Sequence, residues 1–144
     1  MSQTESLALG FLLGILGTGF GAVVTLRLTA RADRSRVMRA LAAECRENAS
    51  VANFKPATGG RPRPPMFSAA WDGARGYLIT NAAYEDLAPA YRIAQHYNVE
   101  LSNFLSGTAG RIHSELRLME LARDAAEAFQ KAETSAKRQA GSLL

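Results

Sequence analysis

The stretch LALGFLLGILGTGFGAVVTLRLTARADRSRVMRALAAECRENASVANF, residues 7–54, changes character halfway without meeting a helix breaker. Its first half is apolar and its second half is charged. Proline is absent until Pro56, and glycine occurs only at 10, 14, 17, 19 and 21. An unbroken run of this length predicts one helix over 6–53, or two with a small bend near Thr29.

Between positions 5 and 27 no residue is charged. About 20 apolar residues in a helix cross the hydrocarbon core of a bilayer. In lipid the backbone must satisfy its own hydrogen bonds, so the segment is expected to be helical despite its glycines. A cleaved signal peptide is the competing reading, with Ala30-Arg31-Ala32 as the cleavage motif. MSQTES lacks the positive charge a signal peptide carries at its start, and the apolar run exceeds the usual core of one. An uncleaved transmembrane anchor is therefore expected, comprising residues 1–28 with the short tail.

At about 100° per residue, Gly10, Gly14, Gly17 and Gly21 fall within roughly 60° of arc, and Gly19 lies opposite. The four make two G-x-x-x-G pairs on one face, the kind of smooth stripe against which another membrane helix packs closely. Their expected role is a helix-packing interface. The partner helix belongs to another protein or to a second copy of this one.

The net charge of +4 is local. Positions 27–39 hold Arg27, Arg31, Arg34, Arg36 and Arg39 against Asp33 alone, and the rest of the chain is balanced. A juxtamembrane arginine cluster fixes topology, with positive charge staying in the cytoplasm. It also suits contact with anionic lipid. The N-terminus is expected outside and the C-terminus inside, across the cytoplasmic (inner) membrane in a single pass. No basic groove for nucleic acid is expected, because the excess lies beside the apolar run.

Residues 29–144 are expected to form a cytoplasmic helical domain. Met38, Leu41, Cys45, Ala49 and Ala52 recur at helical spacing as a core stripe. KPATGGRPRPPMF, residues 55–67, has four prolines and two glycines and must be loop. Its P-x-x-P spacing at 62–65 suits polyproline II, with a stiff connector the plainer reading. Ser68 is placed to cap a short helix whose apolar side is Trp71, Leu78 and Ile79. Asn81 caps the piece that follows. Pro89 suits the first turn of a helix over 88–106, with Ala90, Ala94, Tyr97, Leu101 and Phe104 on one face and Gly107 as its stop. Thr108 opens a last helix over 109–139, with Ile112, Leu116, Met119, Ala122, Ala126 and Phe129 as its stripe. Its alanine-rich second half suits either a narrow pairing surface or a solvated extension. No strand alternation occurs. The fold class expected is all-α, with one N-terminal transmembrane helix continuing into an antiparallel cytoplasmic helical bundle.

Little chemistry is legible. Gly17-Thr18-Gly19-Phe20-Gly21 lies inside the apolar helix, and Thr58-Gly59-Gly60-Arg61 lacks the lysine of a phosphate loop. His96 and His113 have no companions at metal-ligand spacing, and His96 is expected as a partly buried surface residue. Cys45 is expected as a core thiol with no activating base. No catalytic residue, cofactor or metal is assigned, and no enzyme activity is expected.

Glu44 and Asn48, then Ala70-Trp71 and Leu78, then Leu87, Tyr91 and Asn98 make the pattern E-x-x-x-N, A-W, L, L, Y, N. Across roughly residues 7–105 this resembles small uncharacterised bacterial single-pass membrane proteins with an N-terminal anchor and a helical domain. The resemblance implies a cytoplasmic helical domain with Trp71 and Tyr91 in its core. It implies no activity. The function expected is that of a membrane-anchored accessory subunit, docked by its glycine face and bracing the cytoplasmic side of a membrane complex. The alternative is a membrane-tethered regulatory adaptor that binds a soluble partner through its bundle.

Overall fold

The computed structural model describes the backbone of residues 3–55, 63–79, 81–107 and 111–142. Side chains are described from Thr25 onward within those ranges, except those of Tyr77 and residues 111–114. Four helices follow in order: α1 (Gln3–Ala52), α2 (Ala69–Leu78), α3 (Tyr84–Ser106) and α4 (Arg111–Ser142). No strand occurs among the described residues. The protein is an all-α bundle.

α1 is one helix of 50 residues, about 75 Å long at 1.5 Å per residue. It is not interrupted at Thr29, whose hydroxyl donates to the Thr25 carbonyl one turn back at 2.9 Å. Residues 25–34 are all exposed, and burial begins at Ser35. From there the predicted stripe holds: Met38, Leu41, Cys45, Ala49 and Ala52 are buried.

α4 packs along both α1 and α3, and the short α2 touches both α1 and α3. Ser35 meets Ala140 while Arg46 meets Glu133, so α1 and α4 run antiparallel. α3 and α4 are antiparallel across the turn at Gly107 and are joined by Lys131 to Asp86 at 2.8 Å. Gly107 sits at φ 70, the left-handed conformation that glycine adopts freely. Its N–H donates to Asn103 and Phe104 and closes α3 as expected.

Four local expectations are corrected. Residues 81–83 form a turn and α3 begins at Tyr84, so Pro89 lies in its second turn. Helix runs through the proline because Leu87, Ala90, Tyr91 and Ala94 are buried. Asn81 Oδ1 accepts the Ala83 N–H at 2.9 Å within the turn, but the helix is capped at Ala83 without a side-chain bond, so Asn81 is not its cap. Ile79 is 64% exposed, beyond the last turn of α2. Leu116 and Met119 are also exposed, at 56% and 53%. The buried face of α4 is instead Leu118, Leu121, Ala122, Ala125, Phe129, Ala132, Ala136 and Ala140, with Ala126 half-buried. The alanine half is therefore a pairing surface, and its small side chains let α1 and α4 approach closely. Fourth, His96 is exposed. Thr108 and Pro62 of the P-x-x-P spacing lie outside the described residues, and so do the side chains of Ile112 and His113.

Among the described residues no helix is long and apolar enough to cross a membrane. The side chains of residues 7–24, and with them the surroundings of Gly10, Gly14, Gly17 and Gly21, lie outside the described residues.

Candidate functional site

The densest polar cluster among the described residues sits where the loop before α2 crosses α1 and α3. Asn48 of α1 is fully buried. Its Oδ1 accepts the Phe67 N–H at 2.7 Å and its Nδ2 donates to the Phe67 carbonyl at 2.8 Å. Asn98 of α3 does the same to Met66, accepting from its N–H and donating to its carbonyl, both at 2.8 Å. Two asparagines, one on α1 and one on α3, thus hold two consecutive loop residues by both backbone groups. A carboxamide is the one side-chain group that presents donor and acceptor side by side in this way.

Glu44, one turn before Asn48, takes the next step of the loop. Its Oε2 accepts the Ala70 N–H at 2.8 Å and its Oε1 accepts the Trp71 N–H at 3.2 Å. These are first-turn amides of α2, which have no partner within their own helix. The cap is supplied from α1. The Ser68 hydroxyl, expected to fill that place, donates instead to Asp72 at 2.8 Å. Glu44 Oε1 also accepts the Tyr91 hydroxyl at 2.6 Å.

Tyr91 joins this cluster to an aromatic row. Its ring stacks on Trp71 with centroids 4.8 Å apart, and Trp71 stacks on Tyr84 at 5.6 Å. Phe129 of α4 meets Tyr91 edge-on at 5.3 Å. Trp71 and Tyr91 are both buried, which agrees with the core placement drawn from the E-x-x-x-N and A-W pattern. Glu44, Asn48 and Asn98 of that pattern hold the loop or α2, and the Tyr91 hydroxyl holds Glu44.

The electrostatics suit holding more than reacting. Burial pushes the Cys45 thiol up to about 12, opposed in part by its contact with the Tyr91 hydroxyl, 3.9 Å away. Burial likewise drives the Tyr91 hydroxyl well above the usual phenol range, helped by the Cys45 and Glu44 charges. At neutral pH both stay protonated, so neither is a ready nucleophile or base. Among the described residues no group of three His, Cys, Asp or Glu side chains converges to hold a metal ion.

All five arginines are exposed. Arg36 pairs with Asp33 at 3.9 Å. Arg39 folds onto Ser35, bonding its carbonyl at 3.3 Å and its hydroxyl at 2.9 Å. Arg27, Arg31 and Arg34 lie on the exposed segment 25–34. Beside them a pocket of about 340 Å³ opens between α1 and α2, lined by Ala30, Asp33, Arg34, Val37, Gly73 and Ala74. At the other end of the bundle two shallow grooves meet at Arg63, one reaching Met119 and the other Leu105.

The fold and cluster define a four-helix protein whose up-down-up-down bundle is locked around a clamped loop. No protein-family model, curated protein or solved structure matches the chain.

Proposed function

We propose that the chain is a non-enzymatic, membrane-anchored accessory subunit. The apolar start of α1 spans the cytoplasmic membrane with the N-terminus outside. Its glycine face docks on a transmembrane helix of a partner protein or of a second copy, and the bundle braces the cytoplasmic side of the complex. The observation that carries this reading is the register of Gly10, Gly14, Gly17 and Gly21 on one face of an uncharged run. The unbroken α1 supports it, because a helix shared between anchor and bundle transmits position rigidly. Membrane lipid is the other partner, and no nucleic acid, cofactor or metal enters the reading.

The test is Gly14→Leu with Gly17→Leu in the full chain. Filling the stripe is expected to release the protein from its complex in mild detergent while leaving it in the membrane fraction. Unchanged co-purification of the same partners would refute the docking role.

A regulatory adaptor remains the second reading, favoured by one observation. Val99, Leu105, Leu116 and Met119 are each more than half exposed, toward the end of the bundle away from the start of α1. Removing α4 cannot test it, since α4 carries much of the core. Leu105→Gln with Leu116→Gln alters the exposed apolar face alone. Loss of a soluble partner in that variant, with the membrane complex intact, would favour the adaptor.

A further inference from the structure

We propose that the cleft between α1 and α3 is a groove for an extended peptide of a partner protein, occupied here by the chain's own residues 63–78 as a displaceable strap. The inference goes beyond the accessory-subunit reading and does not depend on how α1 meets the membrane. The starting observation is a gap. α4 packs along α1 and along α3, but among the described residues the backbones of α1 and α3 do not come into contact. Side chains reach across, Tyr91 to Glu44 and to Cys45. The rest of the gap is bridged by the loop before α2 and by α2 itself.

The strap is held by its main chain. The Tyr97 hydroxyl of α3 donates to the Pro64 carbonyl at 3.3 Å. Asn98 then takes both backbone groups of Met66, Asn48 takes both of Phe67, and Glu44 accepts the amides of Ala70 and Trp71. None of these bonds reads a side chain of the strap. Selection is left to burial: Met66 and Trp71 are 4% and 5% exposed, whereas Phe67 is 45% exposed. Main-chain bonds for affinity, with pockets for chosen side chains, are how a groove takes an extended segment from another chain. Pro64 and Pro65 suit such a seat, because they bring no N–H that needs a partner.

The order of α2 depends on the groove. Ten residues are too few for a stable helix alone in water. Gly73 and Gly76 weaken it further, although nothing lies within 4 Å of a Cβ built at either position, so packing does not demand them. Its first amides are satisfied by Glu44 of α1 and not by its own Ser68. The walls of the groove have independent support from α4, through Arg46 to Glu133 on one side and Asp86 to Lys131 and Tyr91 to Phe129 on the other. The occupant that replaces the strap shares its chemistry: an extended stretch with an apolar anchor in the place of Met66, leading into a helical turn with an aromatic in the place of Trp71.

The test uses the full chain and, as probe, a fluorescent peptide of residues 63–79, with binding read by anisotropy. Met66→Ala with Trp71→Ala in the chain weakens the strap and leaves the groove intact. This variant should bind the peptide at least about tenfold more tightly than wild type, because the strap no longer competes. Adding Asn98→Ala should weaken that binding, and a peptide carrying Trp71→Ala should bind poorly. Equal affinity in wild type and variant, or equal binding of the altered peptide, would overturn the proposal. So would loss of helical circular dichroism beyond the share of α2, since the strap would then be core that the fold requires. Gly73→Ala with Gly76→Ala strengthens the strap without removing a contact. Hydrogen exchange of residues 63–78 should slow in it at least about tenfold, with α3 and α4 unchanged. Exchange of the strap in step with α3 and α4 would show that it does not open alone and would overturn the proposal. Wild-type affinity for the peptide should not change on dilution of the protein. Tighter binding on dilution would assign the groove to the strap of a second copy and overturn the assignment to a partner protein.

Discussion

Glu44 Oε1 accepts the Tyr91 hydroxyl at 2.6 Å, and the same carboxylate caps α2 through Ala70 and Trp71. One side chain of α1 therefore fixes both α2 and α3. Removing it by Glu44→Ala leaves two helix-end amides without partners and a buried phenol with only its weak contact to the Cys45 sulfur. The cost of such losses is about 2–4 kcal/mol. Tyr91→Phe loses one bond and should cost about 1 kcal/mol. The double variant is expected to lose less than the sum, because each change removes the other's orphaned partner. Chemical denaturation followed by helical circular dichroism measures all three. Strict additivity would show that the two groups are not coupled.

Asn48 gives the second prediction. It is fully buried with both amide groups engaged by Phe67. Asn48→Asp keeps the size but sets an acceptor against the Phe67 carbonyl, and burying an unmatched group costs about 1–3 kcal/mol or more when it is charged. Asn98→Asp, at a half-buried position, should cost less. Hydrogen exchange of the peptide covering residues 63–68 reads the clamp directly. The Phe67 amide should be protected in wild type and lose protection in Asn48→Asp ahead of global unfolding. Equal exchange in both proteins would count against the clamp.

The residues of this clamp stand out in the sequence, but their partners do not. Glu44, Asn48, Trp71, Tyr91 and Asn98 form a spaced pattern that marks them, whereas an acid capping a helix 26 positions away leaves no local trace. Helix existence was legible wherever periodicity was uniform, as from Met38 to Ala52. It misled on α4, where the bulk of Leu116 and Met119 suggested a core face. The buried side follows Leu118, Ala122, Ala125, Phe129, Ala132, Ala136 and Ala140, a three-and-four spacing carried mostly by alanine. That spacing was visible and matches the thin alanine end of the α1 stripe. Hydrophobic size outweighed it, although close helix pairing needs small residues. Pro89 misled for a related reason, since its preference for a first turn was overridden by burial around it.

Cys45 supplies a pH prediction. Its folded value near 12 lies above its ordinary 9.0, so burying the neutral thiol contributes fully below about pH 9. That contribution is lost as pH rises from 9 toward 12. Tyr91 is shifted the same way, by burial first, with the Cys45 and Glu44 charges adding to it, and Glu133 also faces the thiol. Stability is thus expected to fall progressively above pH 9, with the fall reduced in Cys45→Ala. At pH 8 the native thiol should resist alkylation by a maleimide and react once the protein is unfolded. Rapid native labelling would contradict the burial that produces the shift.

Ala136 tests how α1 and α4 pair. It is fully buried, on the face that also carries Ala132 and Ala140. Ala136→Leu adds three carbons where Ser35 of α1 already lies against Ala140, and overpacking a tight contact costs about 1–3 kcal/mol. Leu116→Gln makes the opposite kind of change at an exposed position and should stay within about 0.5 kcal/mol of wild type. The contrast runs against hydrophobicity, since adding an apolar group destabilises while removing one does not. Thermal melts of the two variants decide it. A Leu116→Gln protein less stable than Ala136→Leu would return the core of α4 to its larger residues.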